Sequence, residues 1–80
     1  MTDRFSNIFR ETVKSTAYSG NIVLLKTLSG CANAAAEALD SIGLPHVIGS
    51  VAGDNTIMFV VDDPANSEEV VETLNSMLKK

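Results

Sequence analysis

One cysteine, Cys31, and one histidine, His46, are all the chain has of either residue. A lone thiol cannot close an intrachain disulfide, and without a second Cys or His at ligand spacing there is no donor set for a zinc site. Long apolar runs are missing too. The longest, Ile57 to Val61, is far short of the ~20 residues that span a bilayer, and no apolar segment follows the N-terminus as in a signal peptide. These absences predict a soluble, cytoplasmic chain with no membrane partner. Basic charge is also scarce: six Lys and Arg against ten Asp and Glu leave a net charge of −4. That balance gives no electrostatic footprint for a phosphate backbone, so these residues alone should not grip DNA or RNA.

What is present is enough apolar material for one small core. Eighty residues, 45% of them hydrophobic, cannot support two separate cores and are marginal as one. With disulfide and metal unavailable, oligomerisation is the remaining route to added stability.

Residues 1–8 carry no clear period and read as a linker stub or disordered tail, with the folded domain at 9–80. Weak alternation from Phe9 to Thr16 predicts an edge strand. Gly20-Asn21 makes a turn into the apolar strand Ile22 to Leu25. A helix is expected from Cys31 to Ile42, closed by Gly43, with Cys31, Ala35, Ala38, Leu39 and Ile42 as its buried stripe and Asn33, Glu37 and Asp40 on another side. "HVIGSVA" and "TIMFVV" read as strands joined by a type II′ turn at Gly53-Asp54. A second helix follows, its start marked by Asn66 and Glu69 as a capping box, its stripe by Val70, Val71, Leu74, Met77 and Leu78, and its end by Lys79-Lys80. The order ββαββα predicts an α+β two-layer sandwich, with two helices on one face of a four-stranded antiparallel sheet. Ile22–Leu25 and Ile57–Val61 are apolar on both faces, yet helices cover only one. The other face is therefore expected to be a subunit interface.

Few residues suggest catalysis. Cys31 near a helix N-terminus has the placement of an activated thiol, but it also fits as a small residue on the apolar stripe, and no histidine lies nearby in sequence. His46 reads as a turn or interface residue. Asp62-Asp63 and Glu68-Glu69 suit a solvated turn and a helix start. No catalytic or metal-binding residue is assigned, and no enzymatic role is expected. Asn33 and Asp40 share one side of a helix, and Asp54-Asn55 sit in a turn; the residues alone leave open whether either pair binds anything.

The stretches "KTLSGCAN", "LDSIG" and "GSVAGDNTI" resemble the C-terminal domain of bacterial arginine repressors, and nearly the whole chain from Phe9 onward follows that pattern. The family's marks are a strand running into Thr, Pro or Ser and then Gly, an Ala-rich helix ending in Asp-Ser/Asn-Leu/Ile, and a Gly-Thr-Ile-Ala-Gly-Asp-Asp-Thr-Ile hairpin. The resemblance implies a domain that forms trimers, pairs them into a hexamer, and takes L-arginine as corepressor at the seam between trimers, with no other cofactor. In the family, operator DNA is bound by an N-terminal winged-helix domain, which these residues do not include, and arginine strengthens repression of arginine biosynthesis genes. The chain is expected to be either an excised sensing piece of a longer repressor or a stand-alone regulator.

Position by position, the resemblance makes Asp54 the partner of the ligand guanidinium across the trimer seam and Asp40 the partner of its α-ammonium group. Ala32 and Asn33 would meet its α-carboxylate at the helix N-terminus, while Ser50 and the Ala52 backbone would line the pocket. Asn55 stands where the family has a second aspartate. An amide keeps an acceptor oxygen but loses the charge, which lowers affinity or changes the ligand, and it relieves acid repulsion in an unliganded hexamer. A second reading follows: an assembly domain with weakened or altered ligand response.

Overall fold

A computed structural model describes residues 3–78, with side chains from Asn7 onward. The order of elements is α1 (Asp3–Thr12), β1 (Val13–Ser19), β2 (Ile22–Thr27), α2 (Ala32–Ile42), β3 (Val47–Ala52), β4 (Thr56–Val61), a 3₁₀ turn (Pro64–Asn66) and α3 (Ser67–Leu78). The strands form an antiparallel sheet in the order β1-β2-β4-β3, so the two apolar strands are central and β1 and β3 are the edges. This is the expected α+β two-layer sandwich, with one helix more.

The core follows from strand alternation. Val23 and Leu25 on β2 and Ile57, Phe59 and Val61 on β4 point to the helical layer and are all but inaccessible to solvent. Ala32, Ala35, Ala36 and Leu39 of α2, with Val70 and Leu74 of α3, close over them. The alanines let α2 lie close to the sheet. Burial on α2 is rotated from the expected stripe: Ala32 and Ala36 are buried, Ala38 is half-buried, and Ile42 is exposed. Gly43 ends the helix with a left-handed φ of 78°, its N–H donating to the Leu39 carbonyl at 3.1 Å.

The N-terminal segment differs most from expectation. The strand predicted over Phe9–Thr16 starts only at Val13, and residues 3–12 form α1, which packs against α2 and α3. Phe9 explains the difference, being fully buried in the core. A ten-residue helix is marginal alone, so docking of this ring decides the conformation. The Leu28 N–H then donates to the Thr12 carbonyl at 2.8 Å, tying the end of α1 to the β2–α2 turn.

The start of α3 also departs from the predicted capping box. Asp63 caps the 3₁₀ turn by accepting from the Ala65 N–H at 2.8 Å, with Pro64 at its first position. Asn66 instead donates its side-chain amide to Asp62 Oδ1 at 2.9 Å, and Glu69 reaches toward His46. Met1, Thr2 and the predicted terminal pair Lys79-Lys80 lie outside the described residues.

The sheet face away from the helices carries Leu24, Val51, Met58 and Val60, with Val51 64% and Met58 38% exposed. Leu24 opposes Met58 and Met58 opposes Val51 across adjacent strands, so these side chains form one apolar strip. Among the described residues, no helix is long and apolar enough to cross a membrane.

Candidate functional site

The β3–β4 turn, Gly53-Asp54-Asn55, docks onto the turn between β2 and α2. The N–H groups of Gly30 and Ala32 donate to the Asp54 carbonyl at 3.0 and 3.3 Å, and the Thr27 N–H donates to the Asn55 carbonyl at 2.8 Å. These contacts shift the bend from its predicted form. Gly53 does not adopt a left-handed φ and is joined to β4 through its N–H, which donates to the Thr56 carbonyl at 2.8 Å. Neither Asp54 nor Asn55 has a positive φ, so the turn is not the predicted type II′. Tertiary hydrogen bonds, rather than a left-handed glycine, shape it.

Asp54 is thereby held at the N-terminus of α2 with its carboxylate exposed, and Oδ2 accepts the Ser29 hydroxyl at 2.8 Å. The helix dipole favours a negative group there, and Cys31 at the N-cap position contributes no side-chain cap. Cys31 is half-buried and free. Asn33 is exposed in the first helical turn, where backbone N–H groups lack intrahelical partners. Ala32 is different. Its side chain is buried and its N–H is already given to Asp54, so it serves the turn first. Asn55 accepts the Thr56 hydroxyl on Oδ1 at 3.0 Å.

Asp40 lies at the other end of the helix. It lines a cavity of about 180 Å³ with Leu39, Gly43, Leu44, Val47, Ile48, Gly49 and Phe59, between the end of α2 and the start of β3. Helical rise places Asn33 and Asp40 about 10 Å apart along the axis. β3 runs back from this cavity toward the turn, with Ser50 opposite Phe59 and Ala52 opposite Ile57, both half-buried on the helix-facing side. The seven predicted residues therefore fall along the seam between α2 and edge strand β3: Asp54, Asn55, Ala32 and Asn33 at one end, Asp40 at the other, Ser50 and Ala52 between. A carboxylate stands at each end.

Ser29 was missed. In the sequence it marks only the break before a helix; nothing local indicates that its hydroxyl meets an aspartate on another hairpin. His46 is a turn residue as predicted, but an unusual one, with a left-handed φ of 72° and carboxylates on both sides. Asp62 lies 3.3 Å from Nδ1 and Glu69 3.3 Å from Nε2. Among the described residues, no group of three or more Cys, His, Asp and Glu is arranged to hold a metal ion.

Comparison with known proteins identifies the lineage of this two-ended seam. A family profile described as the C-terminal domain of the arginine repressor matches residues 9–76. The chain belongs to the arginine repressor family. It is 40% identical over 79 residues to the arginine repressor of Alkaliphilus metalliredigens, covering 99% of this chain and 53% of that protein. The arginine repressor of Thermoanaerobacter sp. is similar to the same extent, at 40% over 79 residues. That of Symbiobacterium thermophilum is 42% identical over 77 residues, covering 96% of this chain and 51% of the relative. The chain thus spans about half the length of the curated arginine repressors it matches. The match includes the β2–α2 turn, helix α2 and the β3–β4 hairpin, so the whole seam lies within the arginine repressor C-terminal domain. That family is one of transcription regulators.

Proposed function

We propose that these residues form the effector-binding and self-associating part of an arginine-responsive transcriptional repressor, taking L-arginine as corepressor and controlling arginine biosynthesis genes. The observation that carries this reading is Asp54, an exposed carboxylate held by its backbone at the N-terminus of α2. A planar guanidinium presents five donors in a fork, and a carboxylate accepts two in parallel, giving a strong and directional pair. Asp40 suits the α-ammonium group and Asn33, two turns earlier on the same side of α2, the α-carboxylate of an arginine whose guanidinium is met by Asp54 of another copy. Ser50 and Ala52 line the path between them.

Self-association supplies the rest. The apolar strip of Leu24, Val51 and Met58 needs cover, and packing of copies into trimers and paired trimers buries it. Asp54 of one copy then faces arginine seated on another. Operator DNA is contacted through a separate N-terminal winged-helix domain, in the cytoplasm, and no catalytic step is involved. Because arginine would sit between copies, binding and assembly strengthen each other by linkage.

A second reading draws on Asn55, whose amide oxygen is already engaged by Thr56. With one carboxylate in the turn rather than two, the domain assembles without needing arginine. Light scattering during an arginine titration, with calorimetry on the same sample, separates the two. Heat of binding together with mass rising from trimer to hexamer supports the corepressor reading. A hexamer of constant mass with no binding heat overturns it in favour of the assembly reading.

A further inference from the structure

Ser29 precedes Gly30 in the turn between β2 and α2, and its hydroxyl donates to Asp54 Oδ2 at 2.8 Å. The same turn holds Asp54 through its backbone, since the N–H groups of Gly30 and Ala32 both donate to the Asp54 carbonyl. Asp54 is nonetheless exposed. Such a side chain ordinarily turns freely about two torsions, and a ligand that uses it must first stop that motion. Here the main chain is held by two amides and the carboxylate accepts one hydroxyl, which favours one orientation of the side chain.

The hydroxyl leaves the carboxylate open for use. An ionised carboxylate has about four lone-pair sites, of which Ser29 occupies one on Oδ2. Both sites on Oδ1 and the second on Oδ2 stay available, enough for the two parallel bonds of a guanidinium fork. A hydroxyl also brings no charge, so it orients the carboxylate without neutralising it. Asn55 makes this orientation matter more. Its amide carries no charge and its Oδ1 already accepts from Thr56, so Asp54 is the charged acceptor of the turn.

We infer that Ser29 is a positioning residue of the effector site, fixing the Asp54 carboxylate in the direction from which the ligand guanidinium approaches; this rests on the arginine reading above. The turn itself does not depend on the hydroxyl. Its closing bonds are main-chain: Cys31 N–H to the Leu28 carbonyl at 3.1 Å, Leu28 N–H to Thr12, and Gly30 N–H to Asp54. Ser29 is exposed, so removing its oxygen opens no cavity.

The test is calorimetry of arginine binding to the assembled protein for the original chain, Ser29→Ala and Ser29→Thr. Alongside it, particle mass and amide exchange at Gly30 are measured. Ser29→Ala is expected to weaken binding by about three- to tenfold, with mass and Gly30 protection unchanged, and Ser29→Thr to stay within about twofold of the original. Three-bond couplings should show the Asp54 side chain averaging between rotamers in the alanine variant alone. Equal affinity in Ser29→Ala overturns the inference, as does failure of Ser29→Thr to rescue, or loss of binding accompanied by loss of Gly30 protection. If the original chain takes up no arginine, the corepressor reading itself falls and the role of Ser29 falls with it. That outcome is distinct from an original chain that binds while its alanine variant binds equally well.

Discussion

The carboxylate of Asp62 lies 3.3 Å from Nδ1 of His46, while the Asp62 backbone N–H donates to the His46 carbonyl at 2.8 Å. Glu69 of α3 approaches the other ring nitrogen at 3.3 Å. One residue with a left-handed backbone thus links the α2–β3 turn to the end of β4 and the start of α3, beside the cavity that Asp40 lines.

The His46 pKa is raised above its ordinary 6.5 by the hydrogen bond to Asp62, against some desolvation, with the charges of Glu69 and Asp62 adding to the rise. A raised folded-state pKa stabilises the fold fully below the unfolded value and loses that contribution as pH rises through the folded one. Asp62 is lowered from 3.8, first by the Asn66 amide, opposed by desolvation and helped by His46. Its contribution is present above the unfolded value and lost as pH falls through the folded one. Urea midpoints should therefore decline from about pH 6 to about pH 8, and His46→Gln should flatten that slope. A midpoint that rises over this range, or a slope kept in the variant, would refute the link.

Asp54→Ala should cost about 2 kcal/mol of arginine affinity, roughly thirtyfold, because a charge-assisted acceptor is removed. Thermal stability should change little, since the side chain is exposed. Asn55→Asp is expected to act in the opposite direction, tightening binding several-fold by restoring a second charge to the turn. Calorimetry reads both; unchanged heats in the first variant would remove Asp54 from the site.

Phe9 is fully buried in the core. Phe9→Ala should destabilise the fold by about 3–5 kcal/mol, which a domain this small cannot readily absorb. Phe9→Leu keeps most of the volume and provides a foldable comparison, with a loss below about 1.5 kcal/mol. Circular dichroism during urea unfolding measures both, and an alanine variant as stable as the original would show that α1 does not anchor the fold.

Val51 projects from the helix-free face of the sheet and is 64% exposed. A charge there should block self-association without disturbing the core. Val51→Glu is expected to give monomers by sedimentation with an unchanged far-ultraviolet spectrum. If the assembly persists, copies are joined through some other surface.

The two apolar strands, the alanine-rich helix, the glycine that ends it and the excess of apolar sheet surface were all legible in the sequence. Each depends on residue type at short range: alternation for strands, 3.6-residue spacing for the helix, and a left-handed conformation for Gly43. The helix α1 was not read, although Phe5, Ile8 and Phe9 fall at i, i+3 and i+4; over only ten residues that spacing is marginal alone, and burial of Phe9 in the core holds the helix. The turn at Gly53-Asp54-Asn55 was visible as a turn, but its form was not. Donors from Thr27, Gly30 and Ala32, more than twenty residues earlier in the chain, set its backbone. The sequence by itself determined the two central strands, helix α2 with its glycine end, and that one sheet face would be left uncovered, since those follow from patterns within a few residues. Only the tertiary structure decided that Ser29 meets Asp54 and that His46 lies between Asp62 and Glu69. Hydrogen bonds across sixteen to twenty-five positions depend on where the folded sheet carries each turn.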